Sequence, residues 1–312
     1  MKAHGAKEMN TFLVTGATSG LGLEVARNIA TQSPHNQIVT GVRVSSQTND
    51  LEKAVPKEQL NMLELDLSSV SSVLSFAESV KSALEDKLIS GLALNAGLQI
   101  VSGTYHTEDG YEKTFATNVL GHIILFRALQ SQLTCDAVVV STSSGTHDPE
   151  DKLATSFGFR GGFFPSIEAV AVGDVSDAET DLQAGLDRYA TSKLCNVLFT
   201  YACARTFGEN DRKYVAFDPG LMPATGLARD RSSATRLAWK NVLPTASKLM
   251  EGASSAKKSG STLTNILLGN MPQQNSGVYV NFKGNVVESS KISHDKAAQD
   301  ALIAFAEQIA LQ

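Results

Sequence analysis

The chain has 312 residues, of which 42% are hydrophobic, and its formal net charge is −5. This acidic balance leaves no basic surface of the kind that nucleic-acid binding requires, so nucleic acid is not an expected partner. No apolar run approaches the ~20 residues that span a bilayer, and residues 1–10 are polar and lack the apolar core of a signal peptide. The three cysteines show neither a disulfide nor a metal-binding spacing. We therefore expect a cytoplasmic protein without a metal site.

The N-terminal part combines a strand, a glycine-rich turn and a helical pattern. The strand is Phe12–Thr15, and helical spacing continues from Leu23 to Thr31. This order is typical of the phosphate-binding opening of a dinucleotide fold, where helix N–H groups and the helix dipole favour an anion. The alternative is an ordinary glycine-rich turn. The residues predicted to contact the cofactor here are Gly16, Thr18, Ser19, Gly20, Leu21 and Gly22.

The second predicted strand, Ile38–Val42, ends at Arg43. An acidic residue at this place binds the ribose hydroxyls of NAD, whereas an arginine accepts the 2′-phosphate of NADP. Arg43 therefore favours NADP(H) over NAD(H). A solvated surface arginine is the alternative interpretation.

The third and fourth predicted strands, Leu60–Leu65 and Leu88–Leu94, each end in a candidate cofactor contact. Asp66, followed by Leu67, could accept a hydrogen bond from the adenine amino group or cap the helix predicted over Ser69–Leu84. After the fourth strand, Asn95-Ala96-Gly97 would let backbone pass under the cofactor ribose, or it is a plain turn.

A long helix is predicted over Tyr111–Leu133, with Asn118 in its interior. Asparagine is a poor residue for a helix interior, so Asn118 invites a functional explanation. The alternative is an asparagine that bonds back to a local carbonyl.

The fifth predicted strand, Ala137–Val140, is a continuous apolar run and is expected to be buried. Hydroxyl groups follow it, at the edge where open α/β sheets bind their ligands. Ser144 is therefore a candidate hydrogen-bond partner for a substrate carbonyl, with a turn serine as the alternative.

Two long insertions are expected near this edge, at about 145–188 and 221–270. The first is interpreted as a lid or binding flap. It contains Phe157, Phe159, Phe163 and Phe164, which could line an apolar substrate pocket or pin the segment to the core. The second is expected to be helical.

Tyr189 and Lys193 open a helix predicted to reach about Phe207. Residues four apart lie on one helix face, about 5–6 Å apart at Cβ. An ammonium beside a phenol lowers the pKa of the tyrosine from its reference near 10, which would make Tyr189 a general acid. The alternative is a partly buried tyrosine beside a surface lysine.

The remaining predicted elements are a sixth strand at Tyr214–Phe217, followed by Asp218-Pro219-Gly220, a last strand at Gly277–Phe282 and a helix at Ala297–Leu311. Strands that alternate with helices predict an α/β fold. We expect one domain with a doubly wound parallel sheet of about seven strands and helices on both faces.

Together these motifs resemble the short-chain dehydrogenase/reductase family over essentially the whole chain. The matching residues are Thr15-Gly16-x-x-x-Gly20-x-Gly22, Asp66-Leu67, Asn95-Ala96-Gly97, Asn118, Ser144, Tyr189-x-x-x-Lys193 and Pro219-Gly220. Val42-Arg43, Asn118–His122, Ser192–Asn196, Thr225–Leu227 and Ser276–Tyr279 are similar to the retinol-dehydrogenase and protochlorophyllide-reductase-like branch. Leu221 stands where light-dependent protochlorophyllide reductases have a cysteine, which argues against photochemistry. The family threonine after Pro-Gly is shifted by one place, from Ala224 to Thr225.

The resemblance implies a Rossmann-type fold and an NADPH-dependent oxidoreductase that reduces a ketone or aldehyde, or oxidises an alcohol in reverse. The phenylalanines of the first insertion, together with the second insertion, indicate an apolar small molecule as substrate. Ser144, with Ser143 as the runner-up, and Tyr189 would bind the substrate oxygen, and Tyr189 would donate the proton. Lys193 would hold the nicotinamide ribose, and Asn118 would position a water. Pro219, Gly220 and Thr225 would contact the cofactor on its nicotinamide side.

Two other functions and one assembly state stay open at this point. Reduction of an activated C=C bond is the first alternative, and a non-catalytic NADP-binding regulatory protein is the second. Relatives are often dimers or tetramers, so a homo-oligomer is an open alternative as well.

Overall fold

The computed structural model describes residues 10–207, 211–222, 250–270 and 276–310. Within these ranges, strands pair in parallel to form one sheet in the order β3-β2-β1-β4-β5-β6-β7. The strands are Thr11–Val14 (β1), Gln37–Val42 (β2), Leu60–Glu64 (β3), Ile89–Leu94 (β4), Leu133–Thr142 (β5), Lys213–Asp218 (β6) and Val278–Asn281 (β7). The prediction of a seven-stranded, doubly wound parallel sheet is confirmed. The strand order reverses between β1 and β4, which is where sheets of this kind open a ligand crevice.

Helices cover both faces of this sheet. The helices are Gly20–Gln32 (α1), Asn49–Ala54 (α2), Val70–Leu84 (α3), Lys113–Phe115 (α4), Gly121–Leu129 (α5), Lys152–Ser156 (α6), Ile167–Val172 (α7), Asp181–Thr206 (α8), Ala256–Leu267 (α9) and Lys296–Ala310 (α10). Short 3₁₀ turns cover Lys57–Gln59, Gln130–Gln132, Gly145–His147 and Lys291–His294.

Alternation along the strands divides the apolar core into two layers. Phe12 and Val14 of β1 point to the layer that contains α1, α2 and α9, whereas Leu13 points to the layer of α3, α5, α8 and α10. This period of two is what a β-strand imposes on its side chains. Each layer is therefore closed by helices that turn one apolar stripe to the sheet.

The helix that carries Tyr189 begins earlier than predicted. It starts at Asp181, where the Thr180 side chain accepts a hydrogen bond from Gln183 N at 3.3 Å. Thr180 and Gln183 have the spacing of a capping box, a signal in the sequence that marks a helix N-terminus. Tyr189 consequently lies in the interior of a 26-residue helix and is not at its start.

Two further expectations need correction. The helix predicted over Tyr111–Leu133 is interrupted by a π-helical turn at Ala116–Leu120, and β5 already begins at Leu133. The segment expected as a long loop at 145–188 is not structureless, because it contains the 3₁₀ turn at Gly145–His147, α6, α7 and the first turns of α8.

No helix in the described ranges is long and apolar enough to cross a membrane. Of the second predicted insertion, residues 221–222 and 250–270 are described, and the second of these ranges contains α9. Thr225 and its neighbours Ala224, Gly226 and Leu227 lie outside the described residues.

Candidate active site

The glycine turn between β1 and α1 has the conformation that its sequence predicts. Gly16 and Gly20 adopt φ values of +70° and +58°, which favour glycine. A Cβ on Gly22 would lie 2.3 Å from the Gly16 carbonyl oxygen, so only glycine lets helix and turn pack this closely. Ser19 stands at the N-cap position of α1 without using its side chain as a cap, and the first helical turn has no acidic residue. Thr18 is half-buried, and Leu21 is buried.

Thr15 joins this turn to the one that follows β4. Its Oγ1 accepts hydrogen bonds from Asn95 N (2.8 Å) and Ala96 N (3.0 Å), and Asn95 Nδ2 donates to the Thr15 carbonyl at 2.9 Å. Asn95 and Ala96 therefore position the two turns against each other. Gly97 is exposed next to them.

Asn118 lies in the π-helical turn and holds the backbone of Leu98. Its Oδ1 accepts from Leu98 N at 2.8 Å, and its Nδ2 donates to Leu98 O (2.9 Å) and Ser192 Oγ (3.0 Å). Bonds to a local carbonyl do not explain this asparagine, so that alternative is wrong. Since these bonds occupy the side-chain amide hydrogens, a water at Asn118 would bond to one of its oxygens.

His122 connects Asn118 to Thr15, and sequence reasoning gave it no role. Its ring lies between the Asn118 carbonyl (Nδ1, 3.2 Å) and Thr15 Oγ1 (Nε2, 3.0 Å). Burial lowers the pKa of His122 to about 4. The neutral ring therefore donates from Nδ1 and accepts the Thr15 hydroxyl proton at Nε2. A histidine four residues after Asn118, on the same helix face, was the available signal.

Tyr189 and Lys193 lie together at the carboxyl ends of β4, β5 and β6. Lys193 Nζ donates to the Thr142 carbonyl at 2.9 Å and lies 5.5 Å from the centre of the Tyr189 ring. A Cβ on Gly97 would be 3.7 Å from this Nζ, so the glycine keeps the space beside the ammonium open. Tyr189 and Lys193 are both buried, which contradicts the alternative of a surface lysine.

The pKa values of the pair differ from the sequence-based expectation. Burial raises the pKa of Tyr189, and the carboxylate of Asp218 raises it further. Burial lowers the pKa of Lys193 to about 8, against the opposing effect of Asp218. The expected fall of the tyrosine pKa is therefore wrong, because burial disfavours the phenolate and the Asp218 carboxylate adds to this effect.

The two neighbouring serines have different roles. Ser143 is buried and its hydroxyl donates to the Lys193 carbonyl at 2.8 Å. Ser144 is half-buried, and its hydroxyl accepts only a longer bond from Thr146 N at 3.3 Å. Of the two, the predicted Ser144 is the serine whose hydroxyl proton is left for a ligand.

His147 fixes the Ser144 backbone. His147 Nδ1 lies 2.7 Å from the Ser144 carbonyl, and Ser290 N donates to Nε2 at 3.1 Å. Because Nε2 accepts, the ring is neutral and Nδ1 is the donor. Burial lowers the pKa of His147 and so favours this neutral form.

Arg43 and Asp66 follow β2 and β3 at the same edge. Arg43 is exposed and takes part in none of the ion pairs found within the described ranges. Asp66 Oδ1 accepts from Ser68 N (2.9 Å) and Ser68 Oγ (2.7 Å), as an Asx turn does. Leu67 is buried.

Asp218 and Gly220 shape the end of β6. Asp218 Oδ1 accepts from Gly220 N at 2.9 Å, and Gly220 has a φ of +70°. Pro219 is buried, and its carbonyl accepts from Ser259 Oγ at 2.6 Å. The electrostatic effect of Asp218 on Tyr189 links residues from different elements, so no local motif could have indicated it.

The groups assembled at this edge fit a dinucleotide. The α1 N-terminus supplies amides without helical carbonyl partners, an uncapped Ser19 hydroxyl and no carboxylate that would repel phosphate. Arg43 supplies a cation at the end of β2, and Gly97 leaves room beside Lys193.

Comparison with known proteins gives consistent matches. A family model described as short chain dehydrogenase matches residues 10–152. A chloroplastic protochlorophyllide reductase of Daucus carota is 28% identical over 276 residues, which cover 82% of this chain and 66% of that protein. The short chain dehydrogenase resG of Aspergillus sclerotiorum is 33% identical over 224 residues, which cover 68% of this chain and 61% of that protein.

This chain thus spans less than two thirds of the length of both sequence relatives. Among solved structures, NADPH-bound carbonyl reductase from chicken fatty liver aligns with a TM-score of 0.64 at 18% identity. The alignment covers 90% of this chain and 100% of that chain, and it shows a shared fold.

Proposed function

Because this chain belongs to the short-chain dehydrogenase family, we propose that it is an NADPH-dependent oxidoreductase acting on a ketone or aldehyde, or on the corresponding alcohol in reverse. The observation that carries the proposal is the position of the Lys193 ammonium, 2.9 Å from the Thr142 carbonyl and 5.5 Å from the Tyr189 ring centre. Both groups lie at the carboxyl edge of the sheet, next to the glycine turn. An ammonium and a phenol in this arrangement can move a proton to or from a substrate oxygen.

The cofactor would lie along this edge. The turn Gly16–Gly22 would hold the pyrophosphate, Arg43 the 2′-phosphate, and Asp66 with Leu67 the adenine side. Asn95, Ala96 and Gly97 would pass under the ribose, whose hydroxyls would bond to Lys193. Pro219 and Gly220 would border the nicotinamide. Thr225 is proposed from the sequence motif alone.

When bound, NADPH would supply the hydride for the carbonyl carbon. Ser144 Oγ and Tyr189 Oη hold the substrate oxygen, so that two donors face the charge that develops on it. Tyr189 is protonated at neutral pH because its pKa is raised, and it therefore carries the proton that it donates. Lys193, with a pKa of about 8, is mostly charged at pH 7 and stabilises the phenolate that remains. Asn118 positions the water that returns the proton through Lys193.

Tyr189→Phe tests the acid role. We expect kcat for NADPH-dependent reduction of a panel of ketones and aldehydes to fall at least about 100-fold, because the proton donor is lost. Tyr201→Phe is the matched control. It also removes a tyrosine hydroxyl from α8, but this hydroxyl bonds to Ser289 Oγ at 2.7 Å. Full turnover by Tyr189→Phe would contradict the assignment of Tyr189 as the proton donor.

Arg43→Ala tests the choice of cofactor. The Kd for NADPH should rise about tenfold or more while that for NADH stays within about twofold, because only NADPH carries the 2′-phosphate. Arg27→Ala, which removes a cation paired with Glu24, is the control. Equal changes in the Kd values of NADPH and NADH would contradict the proposed contact between Arg43 and the 2′-phosphate.

A second candidate function is reduction of an activated C=C bond, which the similarity to a protochlorophyllide reductase of Daucus carota allows. Leu221 stands where light-dependent protochlorophyllide reductases have a cysteine, so this reduction would not be photochemical. Product analysis with an enone separates the candidates: an allylic alcohol indicates carbonyl reduction, and a saturated ketone indicates C=C reduction.

A further inference from the structure

Residues 158–163, named the docking strip, lie along helix α8 beside Tyr189. At one end of the strip, Gln183 Nε2 donates to the Gly158 carbonyl at 3.1 Å. At the other end, Phe163 N donates to Thr191 Oγ1 at 3.1 Å. The strip therefore follows α8 over more than two turns of the helix.

The strip touches α8 through its backbone. A Cβ on Gly162 would lie 2.6 Å from Leu194 Cβ and 2.9 Å from the Ala190 carbonyl, so a side chain at this position would push the strip off the helix. Gly162 N also donates to the His147 carbonyl at 3.0 Å. The strip is thus fixed both to α8 and to the turn that carries Ser144.

Arg160 is the central anchor of the strip. Its Nε donates to Asp187 Oδ1 at 3.2 Å, and its Nη2 donates to Asp187 Oδ2. Asp187 is buried and also accepts from Ser176 Oγ (2.5 Å) and Gln183 Nε2 (2.9 Å). A bidentate pair of this kind fixes orientation as well as distance. Burial alone would raise the pKa of Asp187, but these hydrogen bonds outweigh it and lower the pKa, so the carboxylate stays charged.

Phe159 is the neighbour of this anchor and faces the candidate proton donor. Its ring centre lies 6.0 Å from that of Tyr189, with 48° between the planes. Tyr189 is only 5% exposed, whereas Phe159 is half-buried and keeps free ring surface. Phe163, on the same strip, is 57% exposed.

We propose that Phe159 is a specificity-determining residue: its ring forms an apolar wall beside Tyr189 that selects carbonyl compounds with an aryl or similarly flat apolar group next to the C=O. The Arg160–Asp187 ion pair positions this wall. Aromatic rings gain energy from one another beyond their buried area, and such a gain is absent for a small aliphatic ketone. The inference deepens the proposed carbonyl reduction and rests on it.

The test compares acetophenone with butanone as NADPH-dependent substrates. Phe159→Ala should lower kcat/KM for acetophenone about 10- to 30-fold, mainly through KM, and change that for butanone less than about threefold. Phe159→Tyr keeps the ring and should retain both values within about threefold. Equal losses for the two ketones in Phe159→Ala, or none, would overturn the proposal.

Arg160 is tested as a positioning residue. Arg160→Met should reproduce the selective rise in KM for acetophenone, and Arg160→Lys should restore it in part, because lysine keeps the charge but not the bidentate contact. Arg205→Met is the matched control. Arg205 lies near the C-terminal end of α8, far from Phe159 in sequence, and pairs with Asp300. A change in Arg160→Met that affects both ketones equally would refute the positioning role.

Binding without turnover separates this proposal from the proposed function. Saturation-transfer NMR on the protein without NADPH should detect acetophenone more strongly than butanone, and the difference should vanish in Phe159→Ala. Selective binding without reduction of any carbonyl would refute the function and support the wall. Binding of neither ketone, or of both equally, would refute the wall.

Discussion

The hydrogen bonds of single residues define one connected network around Lys193. Thr15 joins the turns after β1 and β4, His122 joins Thr15 to the Asn118 carbonyl, and Asn118 Nδ2 donates to Ser192 Oγ, one residue before Lys193. The neutral state of His122, with a pKa of about 4, keeps this network in one arrangement of donors and acceptors at neutral pH. The network therefore links the candidate cofactor turn to the candidate catalytic helix.

Lys193 should reduce the stability of the protein without cofactor. Its pKa of about 8 lies below the unfolded value near 10.5, so the unfolded state binds more protons between these two pH values. The contribution of Lys193 to the free energy of unfolding is therefore lowest below pH 8 and rises as the pH approaches 10.5. We expect Lys193→Met to be about 1–2 kcal/mol more stable than the wild type at pH 7, after the loss of the bond to Thr142 is subtracted.

Urea unfolding at pH 7 and pH 10 measures this effect. The advantage of Lys193→Met should disappear at pH 10, where the wild-type lysine is neutral in the folded state. The substitution Lys81→Met on the surface of α3 serves as the control and should show no such pH dependence, because Lys81 pairs with the exposed Glu78. A constant difference in stability between Lys193→Met and wild type at both pH values would contradict a lowered pKa of Lys193 in the folded state.

At the scale of elements, α8 is fixed by two ion pairs directly before its candidate acid, Tyr189. Arg188 forms a buried ion pair with Glu112 at 3.7 Å and donates to the Gly103 carbonyl at 2.8 Å, while Asp187 holds the docking strip. The sequence indicates the Tyr189–Lys193 spacing but not these partners, because they come from separate segments. The element that could have been found more accurately is the start of α8, marked by Thr180 and Gln183.

The β1–turn–α1 unit should not tolerate a methyl group at Gly22. Gly22→Ala places a Cβ 2.3 Å from the Gly16 carbonyl and 2.7 Å from Asn95 Nδ2. We expect a loss of about 1–2 kcal/mol in stability, since overpacking outweighs the helix propensity of alanine. The NADPH affinity should fall at least about tenfold, because the turn must open.

Calorimetric titration with NADPH and urea unfolding check this prediction. Asn28→Ala, on a partly exposed position of the same helix, should leave the affinity unchanged. Wild-type affinity in Gly22→Ala would show that the close approach of turn and helix is not required.

At the scale of the whole molecule, the C-terminal helix α10 closes one face of the core. It packs against α5 and α8, and Phe305 contacts the Tyr111 ring edge-on at 5.8 Å. Arg127 of α5 pairs with Glu307 at 2.8 Å, and Arg205 of α8 pairs with Asp300. A homo-oligomer stays a prediction.

Leu302 should account for much of this packing. It is fully buried, so Leu302→Ala should lower the free energy of unfolding by about 2–5 kcal/mol through lost transfer energy and a cavity. Leu182→Ala is the matched control, because Leu182 is 50% exposed and its removal should change stability by no more than about 0.5 kcal/mol. Urea midpoints of the two variants give the comparison, and equal midpoints would contradict the role of α10.

The sequence alone determined the properties that depend on neighbours along the chain. Apolar runs indicated the parallel strands, and the glycines at 16, 20 and 22 indicated the turn before the first helix. The four-residue spacing of Tyr189 and Lys193 indicated that they share a helix face. The π-helical turn at Asn118 was missed, because an apolar pattern does not distinguish it from a regular helix.

Only the tertiary structure decided what depends on groups that are distant in sequence. It distinguished Ser143 from Ser144 through the bond of Ser143 to the Lys193 carbonyl, and it brought Phe159 to Tyr189 through the Arg160–Asp187 pair. It also reversed the expected pKa shift of Tyr189. Desolvation depends on everything that surrounds a group, and a helical spacing specifies only one of its neighbours.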